Sequence, residues 1–256
     1  MVLTIDIGNT NIVFGCSKGD KILFIERIAT RTTSTDTEYA ILFKNVLDIH
    51  SIKLTDIAGG IISSVVPSAT NLVKRAVKKL ADIDILVVGP GIKTGLKILM
   101  DNPAQLGSDL VVDAVAGIAE YPVPLIIIDF GTATTFSVIN KNKEYWGGVI
   151  MPGVRVSHDS LVGRTAQLPK ISLEAPKHVI GKNTIDCMKS GLVLAAASSI
   201  DGMIEKIEDE LGCDANVVAT GGLASTIIPL CKRDIQIDDM LLLKGLMIIY
   251  NKNKTN

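Results

Sequence analysis

Aromatic side chains are scarce in this 256-residue chain, at 4%. A core of this size is therefore aliphatic, built mainly from Val, Ile and Leu, a composition that suits an α/β protein. Charge of one sign is missing too. The formal net charge is -1, so nothing draws nucleic acid or an anionic membrane from a distance. The N-terminus MVLTIDIGNT has no basic segment ahead of an apolar one, and Asp6 interrupts it, which argues against a secretion signal. No run approaches about 18 uncharged apolar residues, the length that would suggest a membrane-crossing helix. The four cysteines, Cys16, Cys187, Cys213 and Cys231, form no C-x-x-C pair. They read as reduced, mostly buried thiols of a cytoplasmic protein. His50, His158 and His178 show no ligand spacing, so a zinc site is not expected. Nothing matches the phosphate loop G-x-x-x-x-G-K-[ST], and no Ser- or Gly-rich linker divides the chain.

A repeat stands out against these absences. Residues 2–10 read VLTIDIGNT and residues 125–133 read LIIIDFGTA. Each is an apolar run ending in Asp, one apolar residue, Gly, and small polar or hydroxyl residues. One Asp-x-Gly describes many ordinary turns. Two of them, each after a strand and before a hairpin, suggest duplicated domains that grip one phosphorylated ligand.

The surrounding pattern repeats as well. Strand-like segments at 2–7, NIVFG and KILFIERIAT make a meander, with its first turn at Ser17–Asp20. Thr35 caps a helix reaching about residue 48, GGIISSVVP is a buried strand, and Ser68 caps a second helix through Lys79. DILVVGPG is another strand, and 107–120 a helix ending before Pro122. The second half restarts with LIIIDFG, TTFSVIN and YWGGVIMPG as strands. A long helix from Thr184 to about Leu211 follows. NVVATGG is then a strand, Leu223–Lys232 a helix, and Asp238 opens the last helix, ending in the tail NKNKTN. The expected fold is α/β: two duplicated domains, 1–119 and 120–256, each a mixed sheet with flanking helices, facing across a cleft. A helix does not follow the first strand directly, which argues against a Rossmann domain.

The chemistry-bearing residues cluster at the strand ends. Gly8 allows a tight turn whose amides can meet a phosphate oxygen, with Asn9 and Thr10 as neutral donors. Asp6 accepts only, so its partner is a cation or metal-bound water. In DNPAQLGSD, Asp109 falls in the first turn of a helix, where the macrodipole should depress its pKa and keep it ionised. There it either complements the helix or takes a proton from an attacking hydroxyl. GPGIKTG, residues 89–95, is either a packing turn or a loop on the substrate side. The glycines at 147–148 and 221–222 suit the approach of a flat ring to the backbone, and they suit tight packing equally.

Taken in order, Asp6–Thr10, GPGIKTG, DNPAQLGSD, DFGTATTF, GGVIMPG, RTAQLP, IGKNT and ATGG resemble the type III pantothenate kinase family over almost the whole chain. The resemblance implies the actin-like, ribonuclease-H-like fold of sugar kinases and heat-shock ATPases. It implies ATP-dependent phosphorylation of pantothenate, at the head of coenzyme A synthesis, in a cytoplasmic homodimer. Carried onto this sequence, Asp6, Ile7, Gly8, Asn9, Thr10, Asn11, Ile12 and Val13 would hold the ATP phosphates, with Asp6 near Mg2+. Thr132, Gly148, Gly221 and Gly222 would border the nucleotide, and Asp129 would bind K+ or NH4+. Gly107, Ser108, Asp109 and Leu110 would line the pantothenate site, with Asp109 as general base, and Thr184 would reach it from the partner subunit. Many members carry Arg after the matching Asp. Leu110 can pair with neither the pantothenate carboxylate nor the transferring phosphoryl group, so either another cation such as Lys93 or Arg164 substitutes or substrate affinity is lower. The same fold also serves kinases of other small hydroxy acids or sugars, and the family includes a transcriptional accessory factor.

Overall fold

The structure, a computed structural model, describes residues 1–19 and 21–254. Asp20 of the first hairpin turn, and Thr255 and Asn256 of the tail, lie outside the described residues. The first strands are β1 (Val2–Ile7), β2 (Asn11–Lys18) and β3 (Lys21–Ala29), followed by helix α1 (Asp36–Ile49). Then come β4 (Gly59–Ser64), α2 (Pro67–Leu80), β5 (Ile85–Val87), β6 (Lys97–Ile98) and α3 (Ser108–Glu120). The second half contains β7 (Leu125–Phe130), β8 (Ala133–Ile139), β9 (Glu144–Pro152), α4 (Val154–Gly163) and α5 (Thr184–Lys189). It ends with α6 (Ala195–Leu211), β10 (Asn216–Gly221), α7 (Ala224–Ile227), β11 (Gln236–Ile237) and α8 (Leu241–Asn253).

Among the described residues, one sheet runs β3-β2-β1-β4-β5 and the other β11-β10-β7-β8-β9-β6. In the first, β1 is antiparallel to β2 and parallel to β4. In the second, β7 is antiparallel to β8 and parallel to β10. The duplication expected from the repeated Asp-x-Gly is thus present strand for strand, with β6 added along β9.

The chain forms two compact units: residues 1–96, 102–116 and 240–256, and residues 97–101 and 117–239. The sequence reading divides the chain after residue 119 and leaves the last helix in the second half. Helix α8 belongs instead to the first unit. Its Leu243, Leu246 and Ile249 bury against Ile61, Val88 and Val112. Gly245 allows the contact, because a Cβ there would overlap the Val112 carbonyl. On the other face of the sheet Leu3, Ile5 and Ile7 pack with Phe43, Leu47, Val73 and Val77 of α1 and α2.

Local signals account for most helix starts. Thr35 caps α1 in a capping box with Glu38. Helix α2 begins one residue before the expected Ser68: Pro67 takes the first position, where its fixed φ suits the helix and its missing N–H costs nothing. From Thr184 to Leu211 the helix is continuous, with a π turn over Ser190–Leu194. Its 28 residues are long and apolar enough to cross a membrane by length and composition alone. Val193, Ala197, Ile200, Ile204 and Ile207 recur at helical spacing and bury against Ile126, Ile128 and Val217 of the second sheet, which is the pattern of a core helix. The expected helix at 223–232 shortens to α7 and a 3-10 turn. Helix α4 was not anticipated. Of the cysteines, Cys16 is buried but Cys187 and Cys213 are exposed, contrary to the expectation of mostly buried thiols.

Two glycine substitutions separate packing from propensity. Gly245→Val should lower stability by roughly 1–3 kcal/mol through overpacking. Gly202, in α6 with open space where a Cβ would sit, should gain about 0.5–1 kcal/mol as Gly202→Ala. Urea unfolding midpoints measure both.

Candidate active site

In the first unit the candidate residues gather at one end of the sheet. Strands β1 and β2 pair up to Ile7 and Ile12, leaving residues 8–11 as the turn. Within it Gly8 N–H donates to the Asn11 carbonyl at 3.0 Å. Thr30, just beyond β3, braces the turn twice: its hydroxyl donates to the Gly8 carbonyl at 2.7 Å and its N–H to the Thr10 carbonyl at 3.0 Å. Asn9, Thr10 and Asn11 are exposed, whereas Ile7 and Ile12 are fully buried. Of the eight residues assigned to the phosphates, those two therefore serve the core with their side chains. Asp6 is 9% exposed and stands opposite Val13 on β2 and Ser63 on β4.

Ser63 also leads to Asp109. The Ser108 hydroxyl, at the start of α3, donates to the Ser64 carbonyl and accepts the Ser64 N–H, both at 3.0 Å. It lies 3.0 Å from the Ser63 hydroxyl as well. Thr70 donates to the Ser64 hydroxyl at 2.7 Å, drawing α2 into the same web. The next residue, Asp109, is thereby carried at the strand end beside the Asp6 turn. Its carboxylate accepts the Leu110 N–H at 2.9 Å. Gly107 leaves room for it, since a Cβ there would overlap that oxygen. The expected depression of its pKa is not what the surroundings produce. Burial raises the Asp109 pKa, and the N–H groups of Leu110 and of Asp109 itself offset only part of the rise. Desolvation wins over the helix N-terminus.

The GPGIKTG loop turns out to be tied to α8. The Asn253 side chain accepts the Lys93 N–H at 3.0 Å and donates to the Lys93 carbonyl at 2.9 Å. Lys252 donates to the Thr94 carbonyl at 2.9 Å. These contacts brace the loop through the backbone of Lys93 and Thr94. Arg164 is the residue following α4 in the second unit.

In the second unit Asp129, next to the last residue of β7, lies between Thr135 of β8 and Thr220 of β10. Gly221, at φ 94°, approaches so closely that a Cβ would overlap the Asp129 carboxylate and the Phe130 backbone. A Cβ at Gly131 would sit tight against the Asp129 carboxylate, and one at Gly153 would overlap the carbonyls of Gly131 and Thr132. Thr132, Gly221 and Gly222 are thus brought to the same strand ends as Asp129. Gly148 is not. It pairs with Ser137, two residues down the sheet from the Asp129 row. A Cβ there would overlap the Phe136 carbonyl, so strand packing explains it. With Trp146, Ile207 and Leu211 it lines a groove of about 150 Å³ away from Asp129. Thr184 is exposed at the first turn of α5, whose cap is Asn183.

Sequence reasoning missed Thr30 and the hydroxyl web. The signal available for the web was Ser63-Ser64, two hydroxyls ending an otherwise apolar buried strand.

A family model, type III pantothenate kinase, matches residues 2–206. A type III pantothenate kinase from Exiguobacterium sp. is 43% identical over 254 residues, covering 99% of this chain and 100% of its own. The chain belongs to the type III pantothenate kinase family. A second pantothenate kinase, from Halalkalibacterium halodurans, is 42% identical over 253 residues, covering 99% of this chain and 100% of its own. Among solved structures, the activator of 2-hydroxyisocaproyl-CoA dehydratase from Clostridium difficile, with bound ADPNP, superposes with a TM-score of 0.56 at 16% identity. That match covers 100% of this chain and 98% of the activator. The likeness is one of fold, the actin-like fold of ATPases and sugar kinases, which type III pantothenate kinases share.

A half-buried carboxylate whose pKa is raised by burial costs the folded state stability wherever it is ionised. Asp109→Asn keeps an oxygen for the Leu110 N–H but removes that charge. The variant should be more stable than the parent at neutral pH. The gap should close as pH falls through the raised Asp109 pKa, where the parent carboxyl takes up its proton. Denaturant unfolding of both proteins across that range measures it.

Proposed function

We infer that the protein is an ATP-dependent kinase that phosphorylates the hydroxyl of pantothenate to 4'-phosphopantothenate, the first step of coenzyme A biosynthesis, in the cytoplasm. The observation that carries the reading is Asp109, held by the Ser108 hydroxyl web beside the Asp6 turn. Burial lifts its proton affinity above that of an ordinary carboxylate. A base so tuned is better matched to a hydroxyl proton at neutral pH.

Each residue then has a definite task. Asp109 takes the proton of the attacking hydroxyl while Gly107, Ser108 and Leu110 line the pantothenate site. The braced backbone of Gly8–Asn11, with Asn9 and Thr10, cradles the ATP phosphates. Asp6 would hold Mg2+, directly or through water, and the ion when bound supplies charge neutralisation on the phosphates. Its hard oxygen at a strand end suits that cation. Thr132, Gly221 and Gly222 border the nucleotide, and Asp129 would hold K+ or NH4+. Phosphoryl transfer rests on positioning and charge stabilisation, so no covalent enzyme intermediate is required. The active form is a homodimer in which Thr184 of one copy reaches the pantothenate of the other.

Leu110 favours one second reading. Where many relatives place Arg it offers no charge to the acid group of pantothenate, which suits a kinase of the same fold acting on another small hydroxylated acid or sugar.

ADP release with ATP, Mg2+ and K+ across a panel of acceptors decides between them. Release with pantothenate alone supports the main reading, release with a different acceptor the second, and ATP binding without release a non-catalytic role. Asp109→Asn should reduce turnover by roughly 100-fold or more. Near-parental turnover would remove Asp109 as the base.

A further inference from the structure

A buried hydroxyl with no hydrogen-bond partner costs about 1–3 kcal/mol, so each one calls for a reason. Thr135 Oγ1 is such an atom: shielded from solvent and without a partner. Thr135 stands directly opposite Asp129 across the β7–β8 pair. Cross-strand neighbours share a face of the sheet, with Cβ atoms about 5 Å apart. A lone hydroxyl and a carboxylate therefore lie side by side.

The duplicated first unit supplies an internal control. There the residue opposite Asp6 across the equivalent β1–β2 pair is Val13. The fold accepts an apolar side chain at this place, so the hydroxyl at 135 is not demanded by the strand pairing. Thr4 Oγ1 is also buried without a partner, but its cross-strand neighbours are Gly15 and Ile61, not a carboxylate. The juxtaposition is peculiar to the second copy.

We propose that Thr135 Oγ1 is a second ligand, beside the Asp129 carboxylate, for the monovalent cation. This rests on the reading of Asp129 as the cation site. A hydroxyl oxygen offers a lone pair to a cation just as it does to an N–H donor. Among the described residues no three His, Cys, Asp or Glu side chains converge on a common metal position. A single carboxylate plus a neutral oxygen matches one positive charge better than two. The cation would also relieve the orphaned hydroxyl, coupling its binding to stability.

Thallium(I), a spectroscopic stand-in for K+, can be titrated by NMR into the intact protein with Mg2+ and an unhydrolysable ATP analogue. Thermal unfolding in KCl against choline chloride at equal ionic strength gives a second readout. The parent should bind thallium and gain stability in K+. Thr135→Val should be at least as stable as the parent in choline, having lost its orphan, yet bind thallium at least tenfold more weakly and lose most of the K+ stabilisation. Thr135→Ser, which keeps the oxygen, should retain both and serves if the valine variant folds poorly. Thallium binding and K+ stabilisation unchanged in Thr135→Val but abolished in Asp129→Asn would overturn the role of Thr135 and leave Asp129 standing. No response in the parent would overturn the cation site altogether.

Discussion

Each unit is arranged around a largely buried central strand that carries a carboxylate next to its last residue. An antiparallel hairpin partner covers one side of that strand and a parallel partner the other. Those partners satisfy its backbone and leave its carboxyl end as the place where polar chemistry can emerge. In the first unit Asp6 takes that place, and the parallel neighbour β4 delivers Ser63 and Ser64 to the same level. In the second, Asp129 takes it, and β10 delivers Thr220 and Gly221. The helices, loops and glycines around them follow from the need to keep these ends open.

The two ends differ by small changes in what stands beside them. Beside Asp6 lie a braced four-residue turn and a serine pair that fastens the helix carrying Asp109. Beside Asp129 lie three glycines pressed against its carboxylate or its turn, and a threonine where the first copy has Val13. On the proposed reading, the first end would receive phosphates next to a base and the second would bring oxygen ligands to a cation. Divergence of this kind needs no change of fold, only changes in side chains at equivalent strand positions.

Much of this was legible in the chain. The strand boundaries, the Thr35 capping box and the repeat of Asp-x-Gly are local, and local physics produces them: period-two burial, turn glycines and side-chain caps. The site motifs were legible because glycines and a helix N-terminus leave a pattern over a few residues. Illegible were the features that depend on residues far apart in sequence. The Asn253 amide clasping Lys93 spans 160 residues, so nothing in GPGIKTG reveals that it is a brace. Likewise, placing α8 on the first sheet depends on Gly245 meeting Val112.

By itself the sequence determined the fold class, the duplication and the family, because these rest on hydrophobic periodicity and on motifs compact enough to read in place. Only the tertiary structure decided which way the Asp109 pKa moves and which residues neighbour Asp129. A pKa is set by how much water surrounds a group, and a ligand set by which strands lie side by side. The helix start that sequence reasoning could see gives Asp109 two N–H groups, and they offset only part of the rise that burial produces. The threonine that faces Asp129 came into view only through the register of β7 on β8.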